Sequence, residues 1–357
     1  MSDVTVTPGE LELFCDSLFA AHARREKPAR DMSALFLGGP GVGKSQIPAE
    51  SAAGLSMPYL LDHAPIRLPE DFAGLPFRMQ GVSAAEFLPF GHMLEWCSAQ
   101  EPTIVCIEEV GQASTSTQAA LMQVVEGRKV GQHEISDNVL FIFTSNRAQD
   151  NAGAGNILST LQSRCATTLE VVPDVRSFLV WGARKGGIRQ EILAYLTVNP
   201  NSLYAFNPQV DRFKPFPCPR AWAKASTLLD LHLPEAIERK AIGGAVGGPV
   251  GEEFMAFTSI FKSGKVPSVP RILSDPDSVK PPDMSKRDGL SIGYAISGAL
   301  SAQADESNVG NAIAWMGKLP QEFMVTFLTL LISRQPEMVN HVSVIAYKAA
   351  NPDVFSE

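Results

Sequence analysis

The chain has 357 residues, 45% apolar and 19% charged, which is long enough and apolar enough for two or three domains with a sizeable core. A formal net charge of −8 argues against broad binding to a nucleic-acid backbone, which needs a basic surface, although one basic loop stays open. Five dispersed cysteines (Cys15, Cys97, Cys106, Cys165 and Cys218) form no C-x-x-C pair, arguing against a disulfide framework or zinc site and suiting a reducing cytoplasm.

The start of the chain lacks a basic segment followed by an apolar run, so no signal peptide is expected. Residues 9–26 show a helical apolar face through Leu11, Leu13, Phe14, Leu18 and Phe19. The run Ser33–Leu37 then reads as a buried strand ending in a glycine cluster. Similar runs recur at Thr103–Ile107, Val139–Thr144 and Thr167–Val171. Helical patterns lie between them at Ser45–Ala53, Thr117–Val125 and Ile157–Gln162. This alternation predicts a parallel sheet covered by helices on both faces. From Arg176 the pattern turns helical, broken by the proline-rich stretch 199–219. Helices are expected at Ala221–Leu231 and Pro234–Ile242, a linker at 263–285, and further helices to the end of the chain. The longest apolar stretch, Phe323–Ile332, is far short of the roughly 20 residues that span a bilayer, so no membrane is expected.

The segment Gly38–Ser45 fits G-x-x-x-x-G-K-[S/T] at each fixed position. Gly39, Pro40, Gly41, Val42 and Gly43 form a loop whose glycines allow backbone N–H groups to turn inward around phosphates. Lys44 supplies a point charge for the β- and γ-phosphates, and the Ser45 hydroxyl a ligand for Mg²⁺. The helix that follows aims its positive end at the anion. The predicted strand ending at Glu108 and Glu109 supplies the next pair: Glu108 for the metal shell, Glu109 to polarise the attacking water. Capping of the following helix is the plainer role open to both. Asn146, at the end of the strand from Val139, can lie between the γ-phosphate and the water; turn geometry is its plainer role. Arg164 can reach a neighbouring subunit's phosphate or form a surface ion pair. Arg220 opens a helix, where the dipole disfavours a cation and a ligand role is an alternative. His63 and His92 read as ordinary core or surface residues, with no metal cluster around them.

With these elements in this order the chain resembles the AAA+ superfamily, and within it the MoxR-like ATPases, including phage-encoded relatives. Gly38–Ser45 matches Walker A, Ile104–Glu109 Walker B, Asn146 sensor 1, Arg164 the arginine finger and Arg220 sensor 2. The span Phe77–Phe90 is similar to the family's helix-2 insertion, and Gly127–Ile135 to the hairpin before sensor 1. The resemblance covers about residues 30–262. It implies an AAA+ P-loop αβα sandwich with a parallel sheet (30–185) behind an N-terminal helix (1–29), then a helical lid (186–262), a linker (263–285) and a C-terminal helical extension (286–357). It also implies ATP and Mg²⁺ as cofactors, a ring of commonly six subunits, and remodelling of a partner protein, such as one with a von Willebrand factor A-type domain. In such a ring Phe87, Phe90, Arg128 and Lys129 would point to the channel. One departure stands out: Walker B usually reads Asp-Glu, and here it reads Glu108-Glu109. Glu is one methylene longer, and Mg²⁺ tolerates little geometric error. A nucleic-acid motor or loader on the same core, and an ATP-binding scaffold with weak hydrolysis, are the competing readings.

Overall fold

A computed structural model describes residues 4–26, 28–79, 81, 84–150, 157–208, 214–262, 267–285 and 289–352. Parts of the expected insertion (80, 82, 83), connector (209–213), linker (263–266) and termini lie outside the described residues. The chain divides into two compact units, one of residues 1–173 with 207–212, the other of 174–206 with 213–357.

The first unit is built on a parallel sheet. In chain order it contains β1 (Thr5–Val6), α1 (Pro8–Ala23), β2 (Ala34–Gly38), α2 (Gln46–Gly54), β3 (Tyr59–His63), the hairpin β4 (Leu75–Arg78) and β5 (Ala85–Leu88), α3 (His92–Ser98) and β6 (Thr103–Glu108). There follow α4 (Thr115–Gly127), the hairpin β7 (Lys129–Val130) and β8 (His133–Glu134), β9 (Val139–Ser145), α5 (Ser159–Gln162) and β10 (Thr167–Val171). The large sheet runs β1-β10-β2-β9-β6-β3, and every neighbouring pair is parallel. The α/β architecture and the C-terminal helical region are therefore as the sequence predicts.

Strand periodicity sorts the core. Alternate residues Leu35, Val105, Ile107, Phe141 and Phe143 join one buried cluster with Met93 and Trp96 of α3 and Leu121, Val124 and Val125 of α4. Trp96 meets Phe141 edge-on at 5.4 Å, and burying each such side chain contributes about 1.5–3 kcal/mol. The intervening residues Ala34, Phe36, Ile104, Cys106, Leu140 and Ile142 are also buried, and Phe14 of α1 packs edge-on against Phe36 at 6.1 Å. Helix α1 begins on a capping box: the Thr7 hydroxyl accepts from the Glu10 N–H at 3.2 Å, and the Glu10 carboxylate accepts from the Thr7 N–H at 2.7 Å.

The second unit is helical: α6 (Val175–Arg184), α7 (Gln190–Val198), α8 (Pro219–Leu229), α9 (Glu235–Val246), α10 (Gly248–Lys262), α11 (Val269–Ser274), α12 (Gly289–Gln303), α13 (Val309–Met316), α14 (Gln321–Arg334) and α15 (Val342–Ala350). Trp222, Tyr195 and Phe254 interlock in one core, with ring centroids 5.4–5.5 Å apart.

Three expectations about the division of the chain change. The unit boundary falls at Pro173, not at 185, because Phe178 and Leu179 of α6 bury into the helical core with α7. The expected lid and the C-terminal extension are one body: Leu330 of α14 belongs to that same core, and α12 packs on α7 with Gly298 beside Ala194. The expected linker is partly structured. Its α11 buries Val269, Ile272 and Leu273 in the cluster of the C-terminal helices. Pro270, which reads as a breaker in sequence, sits in the first turn of α11, where its missing N–H costs nothing.

Candidate active site

Four parallel strands, β2, β9, β6 and β3, end on the same edge of the sheet, and the Gly38–Ser45 loop, Glu108, Glu109 and Asn146 follow or lie at those ends. Ligands of open α/β sheets bind outside the carboxyl ends of strands, so this edge is the place to seek chemistry.

The loop from β2 to α2 takes a phosphate-cradling form. Gly41 and Gly43 have φ of 77° and 102°, which turn the backbone in ways L side chains rarely adopt. Gly39, Gly41 and Val42 are buried, with Pro40, Gly43 and Ser45 partly so. Lys44 is 9% exposed; its Nζ donates to the carbonyls of Gly38 at 2.8 Å and Gly39 at 2.7 Å, and to Asn146 Oδ1 at 3.0 Å. The loop lysine and the amide at the tip of β9, 102 positions apart in sequence, therefore meet. Asn146 thus has a side-chain role beyond turn geometry.

The Glu108–Glu109 pair is split by backbone geometry. Glu108 ends β6 with its side chain 17% exposed, whereas Glu109 is exposed and left-handed, with φ 57° and ψ 37°. That conformation costs a non-glycine residue about 1–2 kcal/mol and is held by its surroundings. The Glu109 carbonyl accepts from the Gln112 N–H at 2.8 Å, Val110 is fully buried, and the Gly111 N–H donates to Ser145 Oγ at 3.2 Å. The capping alternative for the two acids falls away, because Ser114 caps α4 by accepting from the Thr117 N–H at 3.0 Å.

A donor set of one hydroxyl (Ser45) and one carboxylate (Glu108) beside a phosphate-cradling loop fits Mg²⁺, which keeps several waters and takes one or two carboxylates plus substrate phosphates. Arg164 is in contact with Glu126 (Nε to Oε2, 2.6 Å) and donates to the Thr160 carbonyl at 2.7 Å, a surface ion pair within one copy of the chain. Arg220 is exposed in the first turn of α8, in the second unit.

Two residues near the site, Ser145 and Arg147, escape a sequence reading, and a third, His63, is read there as an ordinary core or surface residue. Ser145, fully buried, bridges β9 to the turn after Glu109. Arg147, next to Asn146, pairs with Asp150 at 2.8 Å and Glu170 at 3.0 Å; Asp150 first, then Glu170, hold its guanidinium above the usual arginine range. His63 lies with Nδ1 3.0 Å from Glu108 Oε2. The available signal for Arg147 was an Arg-x-x-Asp spacing in a loop; His63 carried none without the strand order.

One expectation is overturned. Arg128 does not point to a channel: it is 6% exposed, donates to the Ser136 carbonyl at 2.5 Å and lies over the Phe141 ring at 5.4 Å. It is left-handed (φ 52°) at the end of α4, which turns it back toward the sheet. Lys129, by contrast, is exposed. The expected hairpin is present as β7–β8, and part of the expected insertion forms β4–β5, on which Phe77 and Phe87 are 54% and 42% exposed.

No protein-family model matches the chain, and no curated protein matches it. Among solved structures it is similar to a provisionally named ATPase from Cytophaga hutchinsonii (13% identity, 97% of this chain and 89% of that one, TM-score 0.34). It is also similar to the Thermotoga maritima RuvB Holliday junction branch migration motor (12% identity, 89% and 86%, TM-score 0.39). A variant of the latter matches at 15% identity over 83% of this chain and 84% of that one, with a TM-score of 0.38. At 12–15% identity, the chain's own residues rather than these likenesses carry its chemistry. Among the described residues, no helix is long and apolar enough to cross a membrane.

Proposed function

We propose that the chain is an AAA+ ATPase of MoxR-like character, a ring-forming cytoplasmic machine that couples ATP hydrolysis to remodelling of a partner protein. The observation that carries this reading is the Lys44–Asn146 contact, which brings the phosphate loop and the sensor strand into one site. Lys44 binds the β- and γ-phosphates, Glu109 orients the water that attacks the γ-phosphorus, and Asn146 holds that water or the γ-phosphate. The bond from the γ-phosphorus to the bridging oxygen breaks, leaving ADP and phosphate. Ser45 and Glu108 would hold Mg²⁺, which would supply neutralisation of charge on the phosphate oxygens. Arg164 acts across a subunit boundary, as a finger that leaves Glu126 for a neighbour's phosphate, and Arg220 is the candidate sensor of the γ-phosphate.

The burial of Arg128 favours protein remodelling over a nucleic-acid motor, since it removes one of the two basic residues on which the latter drew. Phosphate release by the wild type and by Glu109→Gln tests the enzymatic part. Wild-type turnover no faster than the variant's would leave only a nucleotide-binding scaffold. A pull-down with Glu109→Gln and ATP tests the partner: a captured protein, such as one with a von Willebrand factor A-type domain, supports remodelling. Recovery of DNA alone overturns it.

A further inference from the structure

Strands β3 and β6 are in parallel register with His63 opposite Glu108, so the two side chains share the active edge. His63 Nδ1 lies 3.0 Å from Glu108 Oε2. The backbone of His63 is pinned: its N–H donates to Asp62 Oδ1 at 2.8 Å, and Arg67 Nε donates to the same oxygen at 2.8 Å. Asp62 is 3% exposed, and the Arg67 carbonyl in turn accepts from Thr117 Oγ1 at 3.0 Å, tying the assembly to α4. A buried carboxylate, an arginine and a helix therefore fix the backbone from which the imidazole projects.

We propose that His63 is a positioning residue that holds the Glu108 carboxylate in place for the metal shell, an inference that rests on the nucleotide reading above. Glu carries one more methylene than the usual Asp, so its carboxylate can swing through a wider arc, and Mg²⁺ punishes misplacement. Anchoring Oε2 at His63 removes that freedom and leaves Oε1 for the metal's water. The histidine on β3 and the longer acid on β6 compensate each other: an aspartate at position 108 would draw its carboxylate back from His63. Outer partners that orient a ligating carboxylate typically change metal affinity by about 10–100-fold.

The test is binding of a fluorescent ADP analogue to the full chain across a Mg²⁺ titration and in EDTA. His63→Ala should raise the half-saturating Mg²⁺ concentration about tenfold and leave affinity in EDTA unchanged. His63→Asn, whose amide can occupy the place of Nδ1, should restore most of the loss, whereas His63→Leu, which keeps the volume, should not. In a Glu108→Asp background, His63→Ala should add nothing. Equal Mg²⁺ dependence in the wild type and His63→Ala overturns the proposal, as does an undiminished tenfold loss in the Glu108→Asp background. A wild type that binds no nucleotide under either condition overturns the nucleotide reading itself, an outcome distinct from both.

Discussion

The two edges of the sheet are both polar, yet they are organised for opposite ends. At the amino edge polar groups close on one another. His22 Nε2 lies 2.8 Å from the Asn138 carbonyl, and Arg25 donates to Asn138 Oδ1 at 2.9 Å. Ser136 Oγ and Asn138 Nδ2 both donate to the Ala99 carbonyl, at 2.7 and 3.1 Å, and Arg128 donates to the Ser136 carbonyl. At the carboxyl edge Lys44 is held by two loop carbonyls and one amide, Glu109 is exposed on a strained backbone, and Glu108 turns to a half-exposed histidine. Polarity alone does not mark a functional edge. What marks it is charge positioned by the fold but left able to meet a ligand, whereas polar groups that bond mainly to one another act as struts.

The sharpest way to break the comparison is to remove a charge at each edge. Glu109→Gln should lower phosphate release by about 10²–10⁴-fold while thermal unfolding stays where it was, because the amide inherits the same backbone. Next in size, Lys44→Ala should weaken nucleotide binding by about 10–100-fold, as expected for loss of charge-assisted bonds of about 1.5–3 kcal/mol; a binding titration measures it. At the opposite edge Arg128→Ala should cost about 1–3 kcal/mol of stability, because a charge-assisted bond to the Ser136 carbonyl is lost, leaving that oxygen only the Val139 N–H, and the Phe141 ring loses the cation above it. Its ATPase rate should be unchanged. Unaltered denaturant unfolding with loss of a stimulated activity would place Arg128 back among the working residues.

The smallest effect is a pH dependence. Burial, then the charges of Arg128 and Arg25, hold the His22 pKa below the ordinary histidine value of 6.5, against the partial opposition of the Asn138 carbonyl. The unfolded chain therefore binds this proton more readily than the folded one. The stability that rests on neutral His22 is complete above pH 6.5 and is lost as pH falls from 6.5 toward the folded-state value. Melting temperatures from pH 7.5 to 5.5, conditions on the order of one unit either side of the ordinary histidine value, should fall more steeply for the wild type than for His22→Gln.

Much of the first unit was legible because its signals are local. Thr167–Val171 is the strand the apolar run predicted, and β2, β6 and β9 differ from their runs by a residue at one or both ends. Strands β2, β6 and β9 are buried on both faces over most of their length, so they read as continuous apolar segments. Strand β3 was missed because Asp62 and His63 interrupt its apolar character; Asp62 is tolerated there by its pairing with Arg67. In the second unit the punctuation misled. Prolines suggested a linker where α11 packs, and no local pattern announces that α12 lies on α7 or that Gly293 lets it approach Phe323 of α14.

By itself the sequence determined the phosphate loop, the two acids at the end of β6, the amide at the end of β9 and the alternation that makes a parallel sheet. Each is written in neighbouring residues, where backbone freedom, charge and periodicity act within a few positions. Only the tertiary structure decided that Asn146 meets Lys44, that His63 stands beside Glu108, that Arg128 is a strut, and where the units divide. Those facts depend on strand order and helix packing. Both are set by long-range burial of apolar surface, to which residues far apart in the chain contribute jointly.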